Sequence, residues 1–170
     1  QAGLKYINVA NISNLDMQIE INQVRPYMYQ HRMKSQNWIH YDQALAHPLG
    51  ANFREVIAIV RYQPISKLSL NATYSYSKQG VDSSKTSGNY GGDFTRVYND
   101  RNSDIAPMFQ GVKNQVSALS VNASYMLWHN LFLDAGIFAR TQINSIRPDK
   151  QSTIYRIGLR LNLAQQDYRN

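Results

Sequence analysis

The chain has 170 residues, 18 Lys and Arg against 11 Asp and Glu for a net charge of +7, and no cysteine. Zero cysteines exclude a disulfide scaffold, a thiolate metal site and a Cys nucleophile. The basic residues are scattered rather than gathered on one helix or patch, so nucleic acid is not the expected partner of the positive charge. Only 17% of residues are charged while tyrosine occurs 12 times, below the quarter or so of charged residues usual in soluble domains.

Along the chain the hydrophobic period is two, and no helix of three turns is expected. Residues 4–10 make a weak first strand. The second, "LDMQIEIN" (15–22), alternates Leu15, Met17, Ile19 and Ile21 with Asp16, Gln18, Glu20 and Asn22, and Pro26 suggests a bulge after it. A third strand covers 52–62 and is apolar on both faces at its centre. The fourth, 67–78, opposes Leu68, Leu70, Ala72, Tyr74 and Tyr76 to Ser and Asn and Thr. Three more follow: "QVSALSVNASYMLW" (115–128), "LFLDAGIFART" (131–141) and "STIYRIGLRLNL" (152–163). Connections alternate in length, with long ones at 33–51 and 79–114 and short ones at 12–14, 63–66 and 129–130.

This pattern predicts an all-β fold, an antiparallel transmembrane β-barrel with long outer loops and short periplasmic turns. A soluble sandwich also alternates, but three features favour lipid. The strands are long enough to cross a bilayer at a tilt. Their polar faces hold small Ser, Asn, Thr and Gly side chains that suit an enclosed wet interior. Tyr62, Tyr74, Tyr76, Tyr125, Trp128 and Tyr155 lie toward strand ends, where rings sit at headgroup depth. Single-chain barrels usually have an even number of strands, eight or more. About seven are legible here, so the expectation is the C-terminal part of a larger barrel, or a strand missed between 33 and 50. The C-terminus is expected in the periplasm.

Candidate sites are few. His31, His40 and His47 with Asp42 invite a metal reading, but their spacing is wide for zinc and solvated loop histidines are the expectation. "DRNSD" places Asp100, Asn102 and Asp104 like the start of a calcium loop without its later Gly and Glu. Neither yields an expected metal or cofactor. Asp16, Glu20, Asp134, Arg140, Arg156 and Arg160 fall on polar strand faces, with Glu55 and Arg61 unassigned. They are expected to pair across strands. The functional alternative is a ligand-binding basic stripe of Arg140, Arg156 and Arg160 for an anionic sugar, since guanidinium forks match carboxylates. There is no G-x-S-x-G elbow, Walker loop or dinucleotide fingerprint, and no enzyme is expected. The sequons at Asn71 and Asn122 fall inside strands and are read as accidental.

Residues 30–64, "QHRMKSQNWIHYDQALAHPLGANFREVIAIVRYQP", resemble the Wzi-like outer-membrane barrels of Bacteroidetes, RemB-like gliding-motility members above all. The words that carry the likeness are "HYDQALAHPLGANFRE" (40–55), with His40, Tyr41, His47, Pro48, Gly50, Asn52 and Glu55, and "VRYQP" (60–64); residues 8–29 are similar too. The resemblance implies a large outer-membrane barrel that holds capsular polysaccharide or supports adhesion and gliding. It implies outer-membrane lipid, lipopolysaccharide, acidic surface polysaccharide and other surface proteins as partners. One departure is the end of the chain, "AQQDYRN", where many barrels finish on an aromatic residue. A transport pore lined by the small polar faces is the alternative role.

Overall fold

The computed structural model describes residues 1–84, 88–102 and 104–162. Among them there is no α-helix. Seven strands form one antiparallel sheet in simple meander order: β1 (Ala2–Tyr6), β2 (Leu15–Val24), β5 (Phe53–Ile65), β6 (Leu68–Val81), β7 (Val112–Trp128), β8 (Leu131–Asn144) and β9 (Lys150–Leu161). The other two, β3 (Ile39–His40) and β4 (Gln43–Ala44), make a separate hairpin within the first long loop. All but β1 of the seven run for 10 to 17 residues.

Several sequence expectations are corrected in detail. The first strand is Ala2–Tyr6 rather than 4–10, because Asn8, Ala10 and Asn11 take positive φ and turn the chain through a 3-10 element. No bulge forms at Pro26. β2 stops at Val24 and Tyr27, at φ +64°, starts a loop instead. The bulge falls instead at Pro64, where the β5–β6 register slips between Tyr62 and Ile65. No wall strand hides between 33 and 50, since that segment's two short strands pair only with each other. Leu163, placed in the last strand by its period, and the tail 164–170 lie outside the described residues.

Register carries the alternation across the whole sheet. One row reads Met17, Val60, Ala72, Val121, Ile137, Tyr155. The next residue on each strand gives a row of Asp16, Arg61, Asn71, Asn122, Gly136 and Arg156 on the opposite face. Glu55 lies opposite Asn22, and Arg61 opposite Asp16, which puts both unassigned residues on the polar side. Two bulges preserve the pattern. At Met126–Trp128 the extra residue moves Trp128 from the polar side to stand beside Leu131 on the apolar one, and the slip at Pro64 does the same for Ile65. Re-aiming a side chain is what a bulge does physically.

The apolar face is bare. Ile19, Leu119, Val121, Ile137 and Leu159 are all exposed, and every residue of β9 is exposed. Among the described residues the buried apolar side chains are Tyr27, Ala51, Phe53 and Val112, all at the long-loop end. Aromatic residues are spread along the apolar face. Tyr62, Tyr125 and Trp128 lie in the rows nearest the short turns, Tyr6 and Tyr155 share the next row with Val121, and Tyr74 and Tyr76 lie in the two rows beyond it, toward the long loops. From the row of Trp128 to the row of Tyr76 that face is a largely aliphatic band with no Asp, Glu, Lys or Arg among the described residues.

Candidate functional site

At the long-loop end the core is polar. Asn52 opens β5 and is fully buried at φ +56°, a conformation Asn adopts more readily than most residues. Its Nδ2 donates to the carbonyls of Gly80 (3.0 Å), Tyr90 (3.3 Å) and Gln110 (3.1 Å), and its Oδ1 accepts from the Phe109 N–H at 2.7 Å. Gly80 makes room for it: a Cβ there would lie 2.4 Å from Asn52 Nδ2 and 2.1 Å from Gln110 O. One amide thereby fastens three separate stretches of chain.

Three further amides lace the two long loops together. Gln30 and Asn89 exchange a reciprocal pair of hydrogen bonds, both 3.1 Å. Asn89 also donates to Val97 O, and its own carbonyl accepts from the Tyr27 hydroxyl. Asn37 donates to Phe94 O and Arg96 O, while its Oδ1 accepts from the His31 N–H. A buried polar network with its donors and acceptors paired fixes one geometry, because each alternative leaves a desolvated group unmet. One exception stands out. Asp82, half-buried just past the end of β6, accepts from Tyr90 N at 2.8 Å and sits 3.5 Å from Arg96 Nη1, yet among the described residues its Oδ2 has no hydrogen bond. Burial raises its carboxyl above the usual range, with the Tyr90 N–H and Arg96 opposing.

The residues of the "HYDQALAHPLGANFRE" stretch divide between this core and the exposed hairpin. His47 lies against Phe53, ring centres 4.4 Å apart, and its Nε2 is 3.2 Å from Glu55 Oε2, which also accepts from Asn22. Pro48 lies in the turn that Gly50 N closes onto His47 O at 2.8 Å, and Gly50 takes φ +73°. His40 and Tyr41 stand at the hairpin tip, edge to face at 4.3 Å, with Tyr41 88% exposed. The histidines are thus dispersed. Asp42 meets Lys34, Asp104 meets Arg101, and the described residues hold no group of three or more His, Asp or Glu side chains able to bind a metal.

The three arginines do share the polar face, but with different partners. Arg160 Nε is 2.8 Å from Asp134 Oδ2, its Nη2 donates to Ser124 Oγ, and its guanidinium lies 4.3 Å from the centre of the Phe132 ring. Its charge is therefore compensated. Arg140 donates to Gln142 (3.2 Å), Arg156 to Asn122 (2.8 Å) and Arg61 to Gln18 (3.2 Å). Each of these is aimed by a neutral amide oxygen. Gly136 keeps the path from Arg156 to Asn122 open, since a Cβ there would come within 2.7 Å of the Asn122 Oδ1. A groove of about 380 Å³ runs here, lined by Ser69, Asn71, Asn122, Ser124, Asp134 and Arg156 among others. Chemically it offers one oriented cation among hydroxyls, amides and the Asp134 carboxylate, which is itself paired with Arg160.

The loop amides went unnoticed in the sequence, where 79–114 reads as irregular backbone. Only the density of Asn and Gln beside Gly hinted at them. Comparison with family models, with curated proteins and with solved structures gives no match to this chain.

Proposed function

We propose that this chain is part of the wall of an outer-membrane β-barrel whose braced long loops serve cell-surface assembly, retaining exopolysaccharide or supporting adhesion and gliding, without catalysis. The observation that carries the membrane reading is one bare face that is uncharged and largely aliphatic from the row of Trp128 to the row of Tyr76, with aromatic rings at both ends of that band. Leu119 to Trp128 covers roughly 30 Å along the strand at ~3.3 Å per residue, or roughly 23 Å across a bilayer at ~40° tilt, close to the ~25 Å apolar band of such barrels. Trp and Tyr rings at both edges of that band match the headgroup depth. In this reading the long loops are extracellular, and outer-membrane lipid and lipopolysaccharide surround the wall.

The surface role is supported by the loop body. A hairpin that projects Trp38 and Tyr41 into solvent is held on a rigid polar core rather than on a limp loop. It is in keeping with the resemblance of residues 30–64 to Wzi-like barrels. Removing residues 38–45 from the native gene should abolish exopolysaccharide retention or surface adhesion while the protein still reaches the outer membrane at its usual level. Unchanged retention and adhesion would contradict the role. A transport pore is the second reading, favoured by Arg61, Arg140 and Arg156, which meet neutral amides and no carboxylate among the described residues. In planar bilayers a scaffold is electrically silent, whereas a pore conducts in anion-selective steps.

A further inference from the structure

β1 and β9 each leave one long edge without a partner among the described residues. In water a bare edge is a liability; in hydrocarbon it is untenable, because no water is there to meet its unpaired N–H and C=O groups. On the barrel reading, on which this inference rests, both edges must be met. The direction of the strands decides by what.

β1 pairs Ala2 with Ile21 and Tyr6 with Met17, so it runs from the long-loop end to the short-turn end. β9 pairs Lys150 with Gln142 and Leu161 with Leu131, and it runs the same way. Joining the two edges directly would therefore make a parallel seam. A second copy does not help. Copies inserted in one orientation are related by rotation about the membrane normal, which leaves every strand direction unchanged, so any junction between their β1 and β9 edges is again parallel.

We infer that β9 is met by a strand outside residues 1–170 that runs antiparallel to it, and that an odd number of such strands returns the wall to β1. The charge of the edge adds a chemical requirement. Among the described residues Arg156 meets an amide oxygen and no carboxylate, and it lies on the edge strand with Gly158 beside it on the same face. The incoming strand alternates apolar and polar residues and brings an Asp or Glu on its polar face within reach of that guanidinium. An ion pair across neighbouring strands is the ordinary way a lumen-facing charge is balanced.

The test is photo-crosslinking in the whole protein in its native membrane. One variant carries Gly158→p-benzoylphenylalanine, at a site where a Cβ meets nothing within 4 Å. The second carries Ser152→p-benzoylphenylalanine, six residues up the same exposed strand and on the same face. Both should crosslink to one peptide from outside residues 1–170, with the position 152 adduct later in that peptide than the position 158 adduct. An acidic residue should lie between the two adducts. Adducts in the same order as 152 and 158, or adducts within residues 2–6 of this chain or of another copy, would overturn the inference by revealing a parallel seam. A peptide without Asp or Glu between the adducts would overturn the charge requirement. Failure of the barrel reading itself looks different: the protein is then recovered without detergent.

Discussion

Asn52 fastens stretches of chain that lie far apart in sequence. Its amide reaches backbone atoms 28 to 58 residues away in sequence, and its positive φ is tolerable because Asn and Gly visit that region more readily than other residues. Asn52→Ala should destabilise the loop body by about 2–4 kcal/mol, the cost of leaving buried polar groups unmet. The measurement is hydrogen exchange at the Phe109 amide together with protease cutting between 88 and 111. Asn52→Gly separates backbone from side chain, since it keeps the φ and loses the amide. Wild-type protection in the glycine variant would show that the side chain is not the fastener. None of this was legible beforehand, because a residue's near neighbours carry no mark of bonds made to segments so far along the chain. The face shared by Arg140, Arg156 and Arg160 was legible, as a strand alternates strictly. Their unequal neutralisation was not. The β8–β9 register sets Asp134 opposite Gly158, midway between the two arginines, and the one it meets is Arg160, whose guanidinium lies over Phe132.

At the scale of the strand, register and bulge placement keep two chemically opposite faces apart over seven neighbours. The period of two was plain in β2, β6, β7, β8 and β9, and these strands end within a few residues of where the alternation fades. β5 was the harder case. Its Ile57 and Ile59 face the polar side opposite Ser75 and Thr73, so its centre reads as apolar throughout. The bulges had no local signature beyond Pro64, and the one at Trp128 shows only when its partner Leu131 is known. A charge distinguishes the faces experimentally. Val121→Arg, in the aliphatic band, should cost about 2–4 kcal/mol, as arginine does at the bilayer midplane. Ser120→Arg, one residue earlier and facing the other way, should cost far less. The amount of folded protein in the outer membrane, read from unheated gel mobility, checks both. Equal losses would mean that the two faces meet the same medium.

At the scale of the whole sheet, the small buried core among the described residues and the uncovered Leu, Ile and Tyr rows are one fact. Fully burying a Leu or Ile side chain contributes roughly 1.5–3 kcal/mol, and here those side chains stand open on a sheet whose polar side is separately organised. Water cannot be the medium of both faces without forfeiting that contribution along every strand. The most direct test places a nitroxide, by way of single cysteines, at positions 119, 120, 121 and 122 of the membrane-inserted protein. A chain free of cysteine makes the labelling clean within these residues. Collision with dissolved oxygen reports hydrocarbon, and collision with a water-soluble nickel chelate reports an aqueous interior. Labels at 119 and 121 should collide with oxygen and not nickel, and labels at 120 and 122 with nickel and not oxygen. Nickel access at 119 and 121, or silence toward both reagents there, would place these side chains in water or in a packed protein core and contradict the account.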